Sequence, residues 1–597
     1  MKDILDPISD EEDYPSPDGS SSSQSANHQG FIFSFNSTMV NLRVLHPSPT
    51  QIFTMWEAYK ENVEPLVKIL HLPTMCKIIA NASSGLDNLG KGTEALLFAM
   101  YLAVITSLNP NECKDLLSED KETALSKYRF ATEQALARAG FLNTQERVVL
   151  EAFVLFLICV RRHDDTRFVW TLTGLAIRIA QSLGLHRDGE QFGLTPFETE
   201  MRRRLWWQVV ILDIRAAEDH GTDPSITEQS FDTKLPLNVN DVDLDPEADV
   251  APEGQLGCTE QTFCLIRYEV STTMRRLTYS PPGPRMCPQR GMTASLEDKE
   301  RLIEACHKHL EEKYLKYCDM SVPLYWVTAT VARLIMSKMW LIVHHPFRRA
   351  DGGANLPQDT KDRLFVTSVE VVEFSRLLET EKTTIKWGWL FRTYVQWHAV
   401  AYILSELCTR TKGEAVDRAW AAIDSAFADW GRVIMASKKG MLWKPLRKLT
   451  VKARATRAKE LETEARFPKD GTLGPVDATS LTAAGGSVGF PMLDATMDTL
   501  GFSPNLTNDS PMTTGANPAV DGMQPMAMTP QQQQSQLNGD QINQWILDDA
   551  TLLEDPAGDE MLDWAGWDDM VKDFQMEVQQ DQGVERGPVL GGMANWW

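Results

Sequence analysis

The spacing of apolar residues is the strongest structural signal in this chain of 597 residues. From about residue 49 to residue 449, apolar positions recur every three or four residues, which places them on one side of a helix. No alternating run of apolar and polar residues competes convincingly with this pattern. The chain is therefore predicted to be all-α, a large multi-helix body whose helix pairs resemble an α-solenoid without a fixed repeat length. Besides a first helix near Pro49 and two helices between residues 168 and 213, the predicted helices are Glu94–Leu108, Lys121–Ala139, Gln145–Val160, Cys264–Leu277, Leu296–Lys316, Val327–His344, Asp362–Leu378, Phe391–Cys408 and Val416–Ala436.

Two stretches break the helical pattern. Residues 224–252 are acidic and rich in proline, so a long surface loop is predicted there, and residues 280–290 form a second predicted loop. The acidic residues from position 241 resemble the start of a calcium-binding loop. Proline at the sixth and twelfth positions of that stretch excludes such a site, because glycine and glutamate are required there.

The two helices between residues 168 and 213 carry clear end signals. The first puts the apolar residues of Trp170–Leu183 on one face and ends at Gly184, which fits a C-cap with positive φ. The second opens at Thr195-Pro196, where the threonine caps the helix and Glu198 can return the capping bond. Both helices are therefore predicted to pack into the helical body.

Three consecutive arginines, Arg202–Arg204, stand beside two tryptophans on the second of these helices. At about 100° per residue they spread over roughly 200° of the helix, so they cannot share one face. Contact with nucleic acid is one interpretation. We favour a core helix whose arginines pair with acids such as Glu198, Glu200 or Asp213.

Motifs for catalysis or cofactor binding are absent from the sequence. There is no phosphate-binding glycine loop and no nucleophile elbow. No nucleophile or second base lies near His186 and Asp188, so we interpret them as a pair that anchors a loop. The other histidines lack a recognised metal-ligand spacing. We therefore predict that the protein is not an enzyme and that no cofactor binds to this chain.

The formal net charge of −23 limits the choice of partners. Such an acidic chain is repelled by DNA phosphates unless it presents a local basic surface, and it favours protein partners. Its nine cysteines are scattered without any Cys-x-x-Cys pair, which favours reduced thiols inside the cell over a disulfide framework. No secretory signal is visible, and the most membrane-like stretch, residues 148–160, is too short to span a bilayer and is predicted to be a buried helix. No membrane contact is predicted.

The ends of the chain differ in composition from its helical body. Residues 1–40 are acidic and rich in serine, and residues 470–540 are dominated by Gly, Pro, Ser, Thr, Met and Gln, so both are predicted to be disordered. A basic segment, residues 438–469, precedes the second of these. Three interpretations of this segment remain open: nuclear import, contact with phosphate groups, or a basic helix that is merely solvated or docked on the acidic body. Its candidate contact residues are Lys438, Lys439, Lys444, Arg447, Lys448, Lys452, Arg454, Arg457 and Lys459.

Residues 541–580 combine acidic side chains with large apolar ones. The acids keep the aromatic side chains in solvent, where a partner groove can take them up as a short helix. This composition is typical of an acidic activation segment, which we favour over a plain disordered tail. The residues predicted to contact a coactivator are Trp545, Leu552, Leu553, Leu562, Trp564, Trp567 and Phe574.

Several motifs resemble the fungal-specific transcription factor domain, the middle homology region of fungal Zn₂Cys₆ zinc-cluster regulators. The resemblance covers roughly residues 42–450, and its most specific motifs lie in the middle of that range. The residues after Gly221 are looser than the usual pattern of the family. The matching residues are Leu45–Pro49 with Trp56, Pro65–His71, Trp170–Asp188, Pro196–Glu198 with Arg202–Trp207 and Asp213, Leu235–Asp241 with Asp243-Leu244, and His345–Phe347.

The resemblance implies a helical regulatory domain, residues 42–450, in a nuclear regulator of metabolic or secondary-metabolite genes. Its partners would be coactivators or the transcription machinery, and the family leaves a homodimer open. In the family, six cysteines around two zinc ions place a helix in the major groove of DNA. The first cysteine here is Cys76, inside the helical body, so that module is expected to be missing from this chain.

Zinc and direct DNA contact are therefore expected only if the zinc cluster was lost from the gene model. Otherwise the chain would reach DNA through a partner, as a helical co-regulator or interaction protein without its own DNA-binding module. Transcribed sequence upstream of Met1 that encodes a cysteine cluster would favour the first alternative.

Overall fold

The computed structural model describes residues 41–86, 89–163, 166–220, 222–278, 295–345, 355–391, 396–435 and 443–466. Within these ranges the regular elements are α-helices and short 3-10 helices, with no strand, so the all-α prediction is confirmed. The predicted segments 1–40, 470–540 and 541–580 and the predicted loop 280–290 lie outside the described residues. In chain order the α-helices are α1 Pro49–Asn62, α2 Leu72–Ser84, α3 Lys91–Ser107, α4 Pro110–Leu117, α5 Lys121–Arg138, α6 Arg147–Val160, α7 Thr166–Ser182, α8 Pro196–His220, α9 Thr262–Thr278, α10 Leu296–Lys313, α11 Pro323–His344, α12 Gln358–Thr380, α13 Gly388–Phe391, α14 Trp397–Leu407, α15 Glu414–Met435 and α16 Trp443–Arg466.

Polar side chains and glycine fix where several helices begin and end. At the start of α1, Ser48 Oγ accepts a hydrogen bond from the Gln51 amide, and the Ser48 amide donates to Gln51 Oε1. Asp120 accepts from the Thr123 amide at the start of α5. After α7, Gly184 has a φ of +74°, which confirms the predicted C-cap. These contacts satisfy backbone groups that the terminal turns leave unbonded.

Helices α3 and α6 form the centre of the hydrophobic core. Every side chain from Ala95 to Ile105 on α3 is buried, as is most of α6. A helix that is apolar on all sides must be surrounded by other helices. Helix α3 packs against α1, α5 and α6, and α6 also contacts α7 and α8. The prediction that residues 148–160 form a buried helix is confirmed.

Helix α11 is long and apolar enough, by length and composition, to cross a membrane. In the most apolar part of this helix, 61% of the residues are buried inside the protein. Helices α9, α10 and α12 pack against it. Most of its apolar surface is therefore covered by protein, as in a core helix.

The predicted helix Phe391–Cys408 is only partly described. Helix α14, Trp397–Leu407, confirms its C-terminal part, while residues 392–395 lie outside the described ranges.

The described residues fall into two compact units. The first contains the described residues up to Ile403, and the second begins at Leu404 and includes α15 and α16. In the second unit, the side chains of Arg454 and Arg457 from α16 lie over the ring of Trp420 from α15. The features described below each belong to one unit.

Candidate functional site

The three adjacent arginines of α8 point in different directions, and each reaches a carboxylate. Arg202 Nε lies 2.9 Å from Glu198, and Arg204 Nε lies 3.2 Å from Glu200, in each case one helical turn earlier. The side chains of Arg203 and Arg204 are only 6% and 0% exposed. Buried cations that are already paired cannot reach a DNA backbone. The interpretation as a core helix with paired arginines is confirmed.

The third suggested partner, Asp213, has a different role. Its carboxylate accepts hydrogen bonds from the amides of Ser225 and Ile226, at 3.2 and 2.8 Å. Asp213 therefore fixes the segment at Ser225 and Ile226, which follows α8, against the side of that helix. Helical spacing could not show that Asp213 binds these backbone amides and not one of the three adjacent arginines.

Arg204 joins α8 to the loop that follows it. Its Nη1 lies 2.7 Å from Asp241 Oδ1, and its Nε bonds one oxygen of Glu200. The other Glu200 oxygen accepts from the Leu237 amide at 3.0 Å. Asp241 Oδ2 in turn accepts from the Leu72 amide at 2.8 Å, at the start of α2. One buried guanidinium therefore ties together two helices and a loop through charge-assisted hydrogen bonds.

Lys68 is a second fully buried cation beside Arg204. Its ammonium pairs with Glu64 four residues earlier, and it lies 3.2 Å from Asp241 Oδ2 and 3.0 Å from Glu260 Oε2. Glu260 also accepts a hydrogen bond from the Asp241 amide at 3.0 Å. We call the following residues the buried ion network: Glu64, Lys68, Glu200, Arg204, Asp241 and Glu260.

The charges in the buried ion network do not balance. Four carboxylates surround two cations, so full ionisation would leave two negative charges uncompensated. Burial raises the pKa of Glu64 to about 7, although the charge of Lys68 opposes this shift. Burial also opposes ionisation of Asp241, but Arg204 and Lys68 outweigh it and hold the pKa of Asp241 below its usual value. We conclude that Glu64 is the member that holds a proton most readily.

Arg203 anchors the loop that precedes α8. Its Nε and Nη2 donate to the two oxygens of Asp188, each at 2.8 Å, in a bidentate pair. Asp188 also accepts from the amides of Lys234 and Glu190, at 2.9 and 3.2 Å. Burial opposes ionisation of Asp188, but Arg203 and these amides outweigh it and lower its pKa. The prediction that the pair at 186 and 188 anchors a loop is confirmed for Asp188.

The prediction of a surface loop at residues 224–252 is wrong for its middle part. Asp241 is buried because it neutralises Arg204 and Lys68, and a buried cation is tolerated only when it is paired. Sequence analysis missed Lys68 as well. The available signal was the pair formed by Glu64 and Lys68, four residues apart inside an apolar run, which indicates charges that need further partners.

Four arginines surround a small cleft between α6, α8 and α9. Arg161 and Arg162 follow α6, Arg215 lies on α8, and Arg267 lies on α9. Arg161 and Arg215 each pair with a carboxylate of α8, while Arg267 Nη1 donates to the Leu66 carbonyl at 3.0 Å. Arg161, Arg215 and Arg267 are thus already occupied by partners within the protein. The apolar residues of its wall are Val67, Ile158, Ile211, Leu212 and Leu390.

The basic segment presents one face of α16 to α15. Arg454 lies 2.5 Å from Asp424, and Arg457 lies 2.8 Å from Asp417. Both guanidinium groups also stack over Trp420, at 5.6 and 5.5 Å from its ring centroid. These two arginines therefore dock the helix, and their charge is largely used within the second unit.

The opposite face of α16 carries Lys448, Lys452 and Lys459, all of which are exposed. At about 100° per residue, these positions lie within roughly 40° of each other around the helix. We call these three lysines the exposed basic face. Residues 438–439 and the side chains at 444 and 447 belong to the part of the chain that the structure does not describe.

The predicted coactivator residues between positions 545 and 574 also lie outside the described ranges, so their role stays a prediction. Among the residues that the structure describes, no group of three or more His, Cys, Asp or Glu side chains is placed to hold a metal ion. The carboxylates of the buried ion network converge instead on an ammonium and a guanidinium group.

Three fungal regulators are similar to most of this chain. The aurofusarin cluster transcription factor aurR2 of Gibberella zeae is 34% identical over 436 residues, which are 70% of this chain and 63% of the relative. The transcriptional regulator AacuB of Aspergillus aculeatus is 30% identical, over 68% of this chain and 55% of the relative. The pyriculol/pyriculariol biosynthesis cluster transcription factor 1 of Pyricularia oryzae is also 30% identical, over 71% and 57%. The match thus spans about 55–63% of the length of these relatives.

Residues 56–266 match the family described as the fungal specific transcription factor domain. The match begins within α1 and ends within α9. It contains every member of the buried ion network and the pair of Arg203 with Asp188. Several residues that made the sequence resemble this family are thus paired ions inside the first unit: Lys68, Asp188, Arg203, Arg204 and Asp241. The chain therefore carries a fungal specific transcription factor domain, the family that its sequence motifs indicated.

Proposed function

We propose that this chain is a nuclear transcriptional regulator of a secondary-metabolite gene cluster. The observation that carries the proposal is the domain match at residues 56–266 together with relatives that are named as cluster transcription factors. The buried position of Arg203 and Arg204 on α8 supports a scaffolding role for this domain rather than a DNA-contacting or catalytic one. We therefore propose regulation by binding to other macromolecules and no chemical turnover.

The direct test is to delete the gene in the source organism and measure transcripts. We expect the transcripts of one contiguous set of biosynthetic genes to change, and reintroduction of the chain to restore them. Unchanged transcripts in all such sets, under conditions where the chain is expressed, would contradict the proposal. Zinc-dependent DNA contact enters this proposal only through a cysteine cluster, and we assign zinc to none of the described residues.

The proposal assigns activation to residues 541–580. We expect the full chain, fused to a foreign DNA-binding domain, to activate a reporter gene. Replacing Trp545, Trp564, Trp567 and Phe574 together by alanine should lower reporter expression at least about ten-fold, because removal of anchors worth a few kcal/mol weakens binding by that factor or more.

A matched control for the activation test comes from the neighbouring linker. Four methionines there, Met512, Met523, Met526 and Met528, can be replaced by alanine without changing the acidic segment. We expect this control to keep its reporter expression. Equal expression from the aromatic variant and the control, at equal protein levels, would assign activation to another part of the chain.

The proposal gives the exposed basic face a role in contacting phosphate groups. Replacing Lys448, Lys452 and Lys459 by glutamine should weaken binding of the purified chain to duplex DNA of any sequence. Each lost phosphate contact reduces the slope of log K against log salt by about 0.9, so the triple change should reduce it by up to about 2.7. Fluorescence anisotropy at several salt concentrations measures this slope.

The control for the basic face removes the same charge elsewhere. Lys77, Lys114 and Lys308 are exposed and lie in the first unit. Their joint replacement by glutamine should leave the salt slope unchanged. If both triple variants behave alike, net charge and not the exposed basic face determines binding. If the variant at Lys448, Lys452 and Lys459 no longer accumulates in the nucleus but keeps its salt slope, the exposed basic face serves nuclear import.

A further inference from the structure

Two cysteines that are 60 residues apart in the sequence lie side by side in the first unit. Cys258 is in the loop just before α9, and Cys318 follows the 3-10 helix Leu315–Tyr317 after α10. Their Sγ atoms are 2.9 Å apart, and both are free thiols with partly exposed side chains. No step of the proposed function uses this pair.

The backbone brings the two cysteines together independently of any sulfur contact. The Gly257 amide donates to the Lys313 carbonyl at 3.1 Å, and the Gly257 carbonyl accepts from Asn238 Nδ2 at 2.8 Å. Gly257 has a φ of +96°, and a Cβ at this position would lie 3.2 Å from Tyr317 Cβ. Glycine is therefore required for the loop before Cys258 to approach the turn that carries Cys318.

The two thiols are chemically different. The hydrogen bond between the two thiols lowers the pKa of Cys258. The same interaction raises the pKa of Cys318, with burial adding to the shift. Because the thiolate is the nucleophile, Cys258 is the residue that reacts first with an electrophile. Both side chains are partly exposed, so a small oxidant can reach them.

We propose that Cys258 and Cys318 form a peroxide-sensitive site that closes into an intramolecular disulfide. The Cys258 thiolate attacks one oxygen of the peroxide, the O–O bond breaks, and the leaving oxygen takes a proton to become water. Cys258 is then a sulfenic acid. The Cys318 sulfur attacks it, the S–O bond breaks, and a second water leaves. In total, hydrogen peroxide is reduced to two waters while two thiols are oxidised to one disulfide.

The cross-link would act on the loop that supports the buried ion network. Thr259, next to Cys258, donates from its hydroxyl to Asn238 Oδ1 at 2.8 Å. Glu260, the next residue, reaches Lys68 at 3.0 Å. A disulfide at Cys258 therefore fixes the loop that completes the network to the turn between α10 and α11. Oxidation would restrain this part of the domain, and a thiol reductant would release it.

The test uses the purified full chain and stoichiometric hydrogen peroxide. After free thiols are blocked and the chain is cleaved with trypsin, we expect a linked pair of peptides, residues 235–267 with residues 317–333. Dithiothreitol should separate them. This measurement is made on the unaltered protein, so it does not depend on whether a variant folds. Absence of the linked pair, at a dose of peroxide that already oxidises the exposed thiol of Cys76, would overturn the proposal.

Three serine variants assign the steps. Cys258→Ser should consume peroxide at least about ten-fold more slowly, because the reactive thiolate is lost. Cys318→Ser should stop at the sulfenic acid of residue 258, which dimedone traps. Cys76→Ser is the matched control and should form the disulfide at the rate of the unaltered chain. Peroxide consumption by Cys258→Ser as fast as by the control would also overturn the proposal.

Discussion

Replacing Arg204 by methionine is expected to lower the free energy of unfolding by about 3–5 kcal/mol. The guanidinium is fully buried between Glu200 and Asp241, so its loss leaves Glu200 without its cation and takes one of two cations, Arg204 and Lys68, from Asp241. Methionine keeps most of the apolar stem, which limits the loss of packing. Urea unfolding of the full chain, followed by circular dichroism and tryptophan fluorescence, measures the effect.

The neighbouring Arg202 supplies a matched control on the same helix. Its pair with Glu198 is partly exposed, with side chains that are 20% and 31% accessible. Arg202→Met should therefore cost less than about 1 kcal/mol. Equal losses in the two variants would mean that the buried ion network contributes no more than a surface ion pair.

A second substitution separates the charge effect from a packing effect. Adding Glu200→Met to Arg204→Met removes the carboxylate that the single change leaves without its cation. Asp241 then still has Lys68 as a partner at 3.2 Å. We expect part of the lost stability to return, because replacing both members of a buried pair by apolar groups costs less than removing one. A further loss in the double variant would show that packing, and not an uncompensated charge, causes the effect.

The sequence was sufficient for those features that depend on residues close together in the chain. Helical spacing predicted the course of most helices, and the cap at Gly184 followed from the end of one apolar run. The pairs of Arg202 with Glu198 and of Arg204 with Glu200 span four residues, which is one helical turn. Such contacts are fixed by local geometry, so periodicity shows them.

The partners that complete the site lie far apart in the chain and could not be predicted. Arg204 meets Asp241 across 37 residues, and Lys68 meets Glu260 across 192. Which distant carboxylate a buried cation finds depends on how the helices pack, and a single sequence carries no direct signal for that choice. The acidic character of residues 224–252 even indicated solvent exposure, because composition does not distinguish a solvated acid from one recruited to a buried cation.

The carboxyl group of Glu64 is expected to make stability depend on pH between about 4.5 and 7. Burial raises the pKa of Glu64 from its usual value of 4.5 to about 7 in the folded state. Below the lower value, the folded and unfolded chains both hold the proton. Between the two values only the folded chain keeps it, so stability falls as pH rises. Above pH 7 both states are ionised, and the contribution of the retained proton is gone.

The size of this effect follows from the shift in pKa. At 1.36 kcal/mol per pKa unit, the rise corresponds to a loss of roughly 3 kcal/mol between about pH 4 and pH 8. Glu64→Gln stays neutral throughout and removes this titration. We therefore expect the free energy of unfolding of the unaltered chain, minus that of Glu64→Gln, to fall by up to that amount as pH rises. Urea unfolding at a series of pH values gives the difference.

Taking the difference between the two chains isolates Glu64 from other titrating groups. The pKa values of Asp188 and Asp241 are lowered in the folded state, so their contribution to stability is lost only as pH falls. Both residues are present in the unaltered chain and in Glu64→Gln, so they cancel in the difference. Glu57→Gln is the control, because its carboxylate is 63% exposed and pairs with Lys60 at the surface. A difference that stays constant or grows with pH would mean that Lys68 keeps Glu64 ionised in the folded chain.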